Sequence, residues 1–286
     1  MEAVLHREDY AGLVDAALAE DLGRGDLTTA ATVPVDHEIA ARIVAKSGGV
    51  LAGREVAAYV FQQRSPACRL RGAADGTVLA PGETALELRG PARAILEGER
   101  VALNFLQRLS GIATLTRRYV DAIAGTRAVI SDTRKTTPTL RKLEKYAVRC
   151  GGGTNHRASL DAMLLVKENH IAAAGSLAAA LGSALEVARQ HGLEVEIEVR
   201  SFAEFEAALP LGPHRVLLDH WRPADVRRAV ARRGTSRHPL LEVSGNLTLA
   251  TVREYAEQGP DILSVGALTH SAPALDLSLL VEGASR

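Results

Sequence analysis

Three short segments concentrate cationic side chains where the chain changes from apolar to polar residues. Arg134 and Lys135 follow one apolar run, and Lys167 directly follows another. A glycine-rich stretch, residues 151–157, lies between them in the sequence and ends in His156-Arg157. If the apolar runs are neighbouring strands, their ends place these cations together at the opening of one pocket. Such a pocket suits a polyanion, because guanidinium and ammonium groups bind phosphates and carboxylates.

Each segment also has an ordinary structural explanation. An Arg-Lys pair is often a solvated turn, a single histidine is often a hydrogen-bonded core residue, and a lysine after a buried strand can extend to solvent. We favour ligand binding for Arg134-Lys135 because the pair follows Asp132-Thr133 at a strand end and precedes two threonines and a proline. Three consecutive glycines are entropically costly unless the backbone must approach a ligand or another chain, which favours a site at His156-Arg157. The polar residues after Lys167 favour the same interpretation.

A further basic pattern is interpreted as structural. Arg141, Lys145 and Arg149 recur every four residues on a helix predicted over residues 138–149, opposite an apolar face. We expect this stripe to face solvent and to have no catalytic role.

Acidic residues alternate with apolar ones in a predicted strand. Glu194, Glu196 and Glu198 share one face of that strand, where they repel one another unless cations or a metal offset them. A solvated edge strand is the alternative. Asp219 ends the next predicted strand, and Glu196 and Asp219 are predicted to hold Mg²⁺ directly or through water.

Two late turns have the residues of a phosphate site. Ser244-Gly245-Asn246 follows one predicted strand, and Val265-Gly266-Ala267 follows the next. Backbone N–H groups at such turns bind phosphate, and in (β/α) barrels the phosphate site usually follows the last two strands.

The elements that position these residues alternate between strand and helix. Strands are predicted at 128–131, 163–166, 194–199, 215–218, 240–243 and 262–265, and helices at 138–149, 176–191, 201–208, 223–233 and 247–257. This alternation predicts parallel strands, in an open sheet or a barrel. We favour a barrel because every predicted strand ends beside a polar or glycine residue, and one ring of strand ends would gather them.

The preceding 110 residues read as a smaller α+β unit. Helices are predicted over residues 9–22 and 54–63, with short strands over 38–53 and 69–90. Within residues 20–29, Asp26 and Thr28 are interpreted as capping or turn residues. A long helix is predicted from Pro91 to about residue 124.

Composition restricts the class of protein. The 286 residues are 47% apolar, 24% charged and formally neutral, which argues against a general nucleic-acid footprint. The longest apolar runs fall well short of a membrane span, and the first residues do not resemble a secretory signal. Only Cys68 and Cys150 are present, without metal-ligand spacing. A cytoplasmic (β/α) enzyme with a phosphorylated, anionic substrate is therefore expected.

The order and spacing of these motifs resemble the quinolinate phosphoribosyltransferase family over almost the whole chain. The motifs that carry the resemblance are EDLGRGDLTT, GERVALNFLQRLSGIAT, DTRKTTP, KYAVRCGGGTNHR, LLVKENHI, EIEV, LLDH, EVSGN and SVGALTHS. The resemblance implies an N-terminal open α/β sandwich (residues 1–110) and a C-terminal incomplete (β/α) barrel with parallel strands (residues 111–286), whose tail can pack back on the first domain. It also implies a homodimer or higher oligomer with shared active sites.

The family's reaction joins quinolinate to phosphoribosyl pyrophosphate and releases pyrophosphate and CO₂, giving nicotinate mononucleotide for NAD biosynthesis. By resemblance, the residues that contact quinolinate or phosphates are Thr133, Arg134, Lys135, His156, Arg157 and Lys167, and the 5′-phosphate loops are Ser244, Gly245, Asn246, Val265, Gly266 and Ala267. Glu196 and Asp219 resemble acids near the ribose and Mg²⁺, and Arg100 resembles an arginine donated by the partner subunit, although it is also an ordinary helix-surface residue.

No organic cofactor, nucleic-acid partner or membrane is implied by the resemblance. Arg200 and Ser159 depart from the family pattern, and neither is expected to touch a predicted contact. Two alternatives stay open: a related phosphoribosyltransferase-like protein with another acceptor, and a catalytically silent dimer that binds a phosphorylated metabolite.

Overall fold

The structure is a computed structural model that describes residues 5–282. The helices are α1 (Ala11–Leu22), α2 (Leu27–Thr32), α3 (Arg54–Arg64), α4 (Ala92–Ala122), α5 (Arg141–Cys150), α6 (Glu168–Ala174), α7 (Leu177–His191), α8 (Phe202–Ala208), α9 (Pro223–Arg233), α10 (Val252–Ala256) and α11 (Ala267–His270). The strands are β1 (Glu38–Ala45), β2 (Gly49–Val50), β3 (Arg69–Gly72), β4 (Val78–Leu79), β5 (Thr84–Pro91), β6 (Val129–Ser131), β7 (Leu164–Val166), β8 (Val195–Val199), β9 (Arg215–Asp219), β10 (Leu240–Ser244), β11 (Ile262–Ser264) and β12 (Leu277–Val281). Single-turn 3-10 helices lie at Arg7–Asp9 and Leu209–Leu211.

These elements form two compact units that are discontinuous in sequence. The first comprises the described residues up to 117, residues 137–152 and the described residues from 271 onward, and the second comprises residues 118–136 and 153–270.

The first unit is built on an antiparallel sheet with strand order β12-β1-β5-β3. β1 is central, and its register pairs Ala41 with both Leu88 of β5 and Val281 of β12. Apolar residues of β1, β5 and α3, including Ile43, Leu86 and Val60, are completely buried between the sheet and its helices. The sequence did not predict β12, because a short apolar segment near the end of a chain does not reveal its partner strand.

Local capping explains where the shorter helices of this unit begin. The Asp26 side chain accepts a hydrogen bond from the Thr29 backbone N–H at 2.9 Å, which confirms the capping residue and starts α2. Thr28, the other residue interpreted as a capping or turn residue, lies inside α2. The Asp75 carboxylate accepts from the backbone N–H groups of Gly53 and Arg54 at the start of α3.

The prediction that the basic stripe of α5 faces solvent is wrong for Lys145 and confirmed for Arg149. Lys145 is only 5% exposed, whereas Arg149 is exposed. The neighbouring Glu144 is fully buried and its Oε1 accepts from the Arg108 guanidinium at 2.7 Å. A four-residue spacing selects one face of a helix, but it does not show whether that face meets water or another element.

The second unit contains a six-stranded parallel sheet with strand order β6-β11-β10-β9-β8-β7. All six strands predicted for the (β/α) part are therefore present and paired in parallel. Within the part of the chain that the structure describes, β6 pairs only with β11 and β7 only with β8, so the sheet does not close into a complete barrel. Ile197, Val216 and Leu241 are fully buried in its core.

Two helices in this unit differ from the prediction. α6 follows Lys167, where no helix was predicted, and α10 is limited to five residues after a turn at Thr248–Thr251. Within residues 5–282, no single helix is long and apolar enough to cross a membrane, and one bent helix pair, α6 with α7, meets that test by length and composition only.

Candidate active site

A polar cavity opens at the carboxyl ends of the parallel strands. Its volume is about 270 Å³. The residues that line it are Thr133, Arg134, Lys135, His156, Arg157, Leu165, Lys167, Glu198, Leu217, Asp219, Glu242, Ser244 and Ser264. All of these residues belong to the second unit, and they come from segments spread over more than a hundred residues. The structure therefore brings together the three cationic segments that the sequence singled out.

Asp132 holds the first two cationic segments side by side. It is fully buried after β6, and its carboxylate accepts from the His156 backbone N–H at 2.9 Å and from the Asn155 side chain at 2.6 Å. A backbone hydrogen bond adds to this contact between β6 and the glycine-rich segment: the Thr154 N–H donates to the Ile130 carbonyl at 2.8 Å. The end of β6 thus fixes the glycine-rich segment, and Arg134 and Arg157 face the same cavity.

Arg157 is held as a buried cation. One of its terminal nitrogens donates to the Met163 carbonyl at 2.8 Å, while its buried Nε has no hydrogen-bond partner among the described residues. Burial lowers the pKa of Arg157, and the nearby charge of Arg134 lowers it further. Two like charges that face one cavity attract an anion, so this pair favours an anionic ligand.

The hydrogen bonds of His156 define its tautomer. The Arg157 backbone N–H donates to His156 Nδ1 at 2.8 Å, so Nδ1 must be an acceptor and the ring is neutral. The hydrogen of the ring is then on Nε2, which lies 2.8 Å from Oε2 of Glu196. His156 is therefore a hydrogen-bond donor to a buried carboxylate.

Glu196 and Glu242 form a buried acidic pair beneath the cavity. Both are completely buried, and Oε1 of Glu196 and both oxygens of Glu242 have no hydrogen-bond partner among the described residues. Burial raises the pKa of each carboxyl, and for Glu242 the neighbouring Glu196 charge raises it further. Since His156 donates to Glu196, the proton that this pair retains belongs mainly to Glu242.

These three residues have the composition of a metal site, but their hydrogen bonding does not fit one. Donor atoms of His156, Glu196 and Glu242 lie within 4.8 Å of one another. A histidine that binds a metal through Nε2 normally donates from Nδ1 to another group. Here Nδ1 accepts from the Arg157 backbone, so Nε2 must carry hydrogen and has no lone pair for a metal.

The cavity acid on β8 is Glu198. Its Oε2 accepts from the Lys167 ammonium at 2.5 Å, and the carboxylate is 8% exposed. Glu196 lies two residues deeper on the same strand and is not among the described residues that line the cavity. The alternative of a solvated edge strand is wrong, because β8 pairs with β7 and β9.

Asp219 lines the cavity at the end of β9, and Arg200 contacts it. Arg200 Nε lies 3.4 Å from Oδ2 of Asp219 and Arg200 Nη2 lies 3.8 Å from Oε1 of Glu198. The expectation that Arg200 touches no predicted site residue is therefore wrong. Ser159, the other residue that departs from the family pattern, hydrogen-bonds to Asp161 in an exposed loop.

The two late turns lie at this end of the sheet. Ser244 lines the cavity together with Ser264, the last residue of β11. The Gly266 backbone lies against Lys135, since a Cβ added at Gly266 would be 3.1 Å from Lys135 Cδ. Val265 and Ala267 flank this glycine, and α11, which begins at Ala267, has only four residues. An anion at this turn would therefore be bound by backbone N–H groups and not by the dipole of a long helix.

The turn at Ser244-Gly245-Asn246 depends on positive backbone φ angles. Gly245 has φ of 106° and Asn246 has φ of 54°. Replacing Gly245 with Ala should cost about 1–3 kcal/mol of unfolding free energy and raise the KM for phosphoribosyl pyrophosphate, because the new Cβ would lie 2.7 Å from His220 Nδ1. Chemical denaturation and steady-state kinetics measure both quantities.

The control is Gly212→Ala, at φ of 72° with no heavy atom within 4 Å of the added Cβ. That variant shares the backbone penalty and lacks the collision, so its KM should match the wild-type value. An unchanged KM in the Gly245 variant would show that this turn does not contact the substrate.

Arg100 is placed differently from the other predicted site residues. It lies on α4 within the first unit, and its side chain is exposed. The described residues lining the cavity all come from the second unit. The structure thus leaves Arg100 available at the surface, and its role stays a prediction.

Two functional candidates were missed by reasoning from the sequence. Glu242 interrupts an apolar strand, which is a signal for a buried polar contact, yet it was treated only as part of the EVSGN motif. Glu198 was recognised as a strand end, but the metal role was given to Glu196. The alternation along β8 defines the face and not the depth, and the two glutamates differ in depth by about 6.6 Å along the strand.

The parallel sheet, the cation cavity and the late backbone turns define an α/β enzyme that binds an anionic, phosphorylated substrate at its strand ends. Comparison with known proteins makes this class specific. Residues 26–110 match the N-terminal domain of quinolinate phosphoribosyl transferase and residues 112–280 match its C-terminal domain, so the chain belongs to the quinolinate phosphoribosyl transferase family.

Individual relatives agree over nearly the full chain. The nicotinate-nucleotide pyrophosphorylase [carboxylating] of Mycobacterium leprae is 44% identical over 269 residues, covering 92% of this chain and 94% of the relative. A probable enzyme of the same name from Bacillus subtilis is 40% identical, and the match covers 93% of this chain and 91% of the relative. The solved nicotinate-nucleotide pyrophosphorylase of Francisella tularensis has a TM-score of 0.92 at 36% identity and covers 99% of both chains. The predicted fold class is confirmed.

Proposed function

We propose that the cavity is the place where quinolinate reacts with phosphoribosyl pyrophosphate. The reaction is phosphoribosyl transfer with decarboxylation, giving nicotinate mononucleotide, pyrophosphate and CO₂ in NAD synthesis. The family match over residues 26–110 and 112–280 supports this activity. The observation that carries the assignment to this cavity is the convergence of Arg134, Lys135 and Arg157 in one enclosed space.

The cations are assigned to the two carboxylates of quinolinate. Arg134 and Arg157 face one cavity, and the burial that lowers the pKa of Arg157 also strengthens its attraction for an anion. Guanidinium groups bind carboxylates through two parallel hydrogen bonds, which fixes the plane of the pyridine ring. Lys135 and Thr133 complete this side of the cavity, and His156 supports it through its contact with Glu196.

The opposite side of the cavity is assigned to the ribose and its phosphates. Glu198 and Asp219 supply hard oxygen atoms that fit Mg²⁺, and Lys167 lies within hydrogen-bonding distance of Glu198. Of the pair proposed from the sequence, Asp219 retains this role, whereas the buried Glu196 is replaced by Glu198. When bound, Mg²⁺ supplies charge neutralisation for the departing pyrophosphate. Ser244 and the backbone at Gly245, Asn246, Val265, Gly266 and Ala267 are assigned to the 5′-phosphate.

Catalysis by these residues is mainly electrostatic. As pyrophosphate leaves, the ribose gains oxocarbenium character, and the carboxylates of Glu198 and Asp219 stabilise that positive charge. The ring nitrogen of quinolinate then attacks C1 of the ribose, for which Arg134 and Arg157 hold the ring in position. The pyridinium that forms stabilises the carbanion left by loss of CO₂. No nucleophilic side chain and no organic cofactor is required.

A homodimer with shared active sites is also proposed, with Arg100 donated to the partner's cavity. Its exposure on α4 supports this role. Mixing inactive Arg100→Ala and Arg134→Ala subunits should restore about a quarter of the wild-type activity at equal mixing, since half of the dimers are hybrids with one intact site each. Activity and subunit exchange are measured together.

Arg93→Ala serves as the control for this mixture, because Arg93 also lies on α4 but donates to the Val33 carbonyl within its own chain. A mixture of Arg93→Ala and Arg134→Ala subunits should have no more activity than the Arg93→Ala subunits have by themselves. Absence of recovery after demonstrated exchange would mean that the two residues act in one and the same site or that Arg100 has no catalytic role.

The division at residue 110 and a cytoplasmic location stay part of the proposal. Two plant relatives are named as chloroplastic and mitochondrial, so location varies among relatives. Calorimetry separates the two alternative functions: a silent binder would take up a sugar phosphate with no dependence on quinolinate, and a protein with another acceptor would bind phosphoribosyl pyrophosphate but not quinolinate.

A further inference from the structure

Arg200 contacts three carboxylates from three different elements, α6, β8 and β9, beside the cavity. It directly follows β8 and forms an ion pair with Glu168 at the start of α6. The same guanidinium lies 3.8 Å from Glu198 on β8 and 3.4 Å from Asp219 at the end of β9. Because Glu198 and Asp219 both line the cavity, Arg200 contacts two of its acidic residues although it does not line the cavity itself.

The two cavity acids need a counter-ion when no substrate is bound. Their strands are paired in parallel, with Glu198 opposite Leu217 and Val199 opposite Leu218, so Asp219 lies one step further along the neighbouring strand. Carboxylates on adjacent strands repel one another. The Lys167 ammonium donates a hydrogen bond to Oε2 of Glu198. The Arg200 guanidinium lies near Oε1 of Glu198 and Oδ2 of Asp219.

The contacts of Arg200 with the two cavity acids are loose. Charge-assisted hydrogen bonds usually have N···O distances of about 2.7–2.9 Å, and both of these contacts are longer. The Arg200 side chain is 50% exposed. It also lines a second, open cavity of about 380 Å³ together with His220 and Arg222. The guanidinium therefore has space to leave the acids while Glu168 stays within its reach.

We propose that Arg200 is a positioning residue that serves as the resident counter-ion of Glu198 and Asp219 and gives up that position to the divalent cation that accompanies pyrophosphate. This inference rests on the proposed Mg²⁺ role of the two acids. While Arg200 is in place, its positive charge offsets the repulsion between the two carboxylates and holds them at the cavity wall. When the cation binds, Arg200 moves toward the second cavity, and the competition between them weakens cation binding to the substrate-free protein.

The test is binding of Mn²⁺ alone to the substrate-free protein, followed by electron paramagnetic resonance. Arg200→Ala should lower the Mn²⁺ dissociation constant about fivefold, which corresponds to the upper strength of a partly exposed ion pair. Arg200→Lys keeps a cation at this position and should stay nearer the wild-type value. In steady-state assays, Arg200→Ala should also reach half-maximal rate at a lower Mg²⁺ concentration.

Two further variants make the outcome decisive. Arg222→Ala removes a cation from the same second cavity whose ion-pair partner is Asp225, and it should bind Mn²⁺ as the wild type does. Glu198→Gln should weaken Mn²⁺ binding. If Glu198→Gln binds less Mn²⁺ but Arg200→Ala does not bind more, the metal role of the acids stands and the counter-ion role of Arg200 is overturned. If Glu198→Gln binds Mn²⁺ as the wild type does, both are overturned.

Discussion

Replacing Arg134 with Ala should lower kcat/KM for quinolinate about 10- to 100-fold while the protein remains folded. Arg134 lines the cavity beside Arg157, and a hydrogen bond to a charged partner contributes about 1.5–3 kcal/mol. The loss should be largest in quinolinate affinity, since the proposed contact is with its carboxylates. Isothermal titration with quinolinate measures that affinity directly, and thermal denaturation checks the fold.

Two comparison variants identify the cause of this loss. Arg134→Lys retains the charge but not the planar pair of donors, so it should recover only part of the affinity. Arg189→Ala removes an arginine that is exposed on α7 and paired with Glu186, and it should leave quinolinate binding unchanged. Wild-type quinolinate affinity in Arg134→Ala would contradict the assignment of this segment to the substrate.

The effect of Glu242→Gln on the free energy of unfolding should depend on pH. Relative to the wild type, the variant should be more stable at pH 8 than at pH 4 by about 2 kcal/mol, since each unit of pKa shift is worth about 1.4 kcal/mol. Burial raises the pKa of Glu242 in the folded protein. Its carboxyl therefore contributes most to stability below the ordinary glutamate pKa, and that contribution is lost as the pH rises through the raised value. Glutamine cannot ionise, so the variant does not lose this contribution to stability as the pH rises.

The measurement is the free energy of unfolding in urea at several pH values from 4 to 8.5. Comparing across pH cancels the constant packing cost of the amide. Glu194→Gln is the matched control, because Glu194 is exposed beside the same sheet and pairs with Arg215 at the surface. If the difference between Glu242→Gln and wild type were the same at every pH, the pKa of Glu242 would be the same in the folded and unfolded protein, which would contradict this prediction.

The strands of the parallel sheet could be predicted because each is an apolar run followed by a polar residue. That pattern also located Lys167 and Asp219 correctly at strand ends that face the cavity. It did not reveal β12, whose place depends on pairing with β1 far away in the sequence. It also did not reveal α6, because a loop and a short helix share the same polar residues.

The depth of a side chain within the site could not be predicted in the same way. Glu196 and Glu198 share a face of β8, yet Glu196 lies beneath the cavity beside His156 and Glu198 lies at its wall. Likewise, the contacts of Arg200 with acids of α6, β8 and β9 depend on which strands are neighbours. Sequence periodicity defines which way a residue points, whereas pairing and depth are determined by the assembled sheet.

The measurement that tests the central claim most directly is an assay of the purified protein with quinolinate, phosphoribosyl pyrophosphate and Mg²⁺. Nicotinate mononucleotide is followed by chromatography, and CO₂ is followed by release of label from the 2-carboxylate of quinolinate. We expect both products in equal amounts, with the formation of both slowed about 10- to 100-fold in Arg134→Ala at low quinolinate concentration. A folded wild-type protein that binds phosphoribosyl pyrophosphate but forms neither product would contradict the assignment of quinolinate as its substrate.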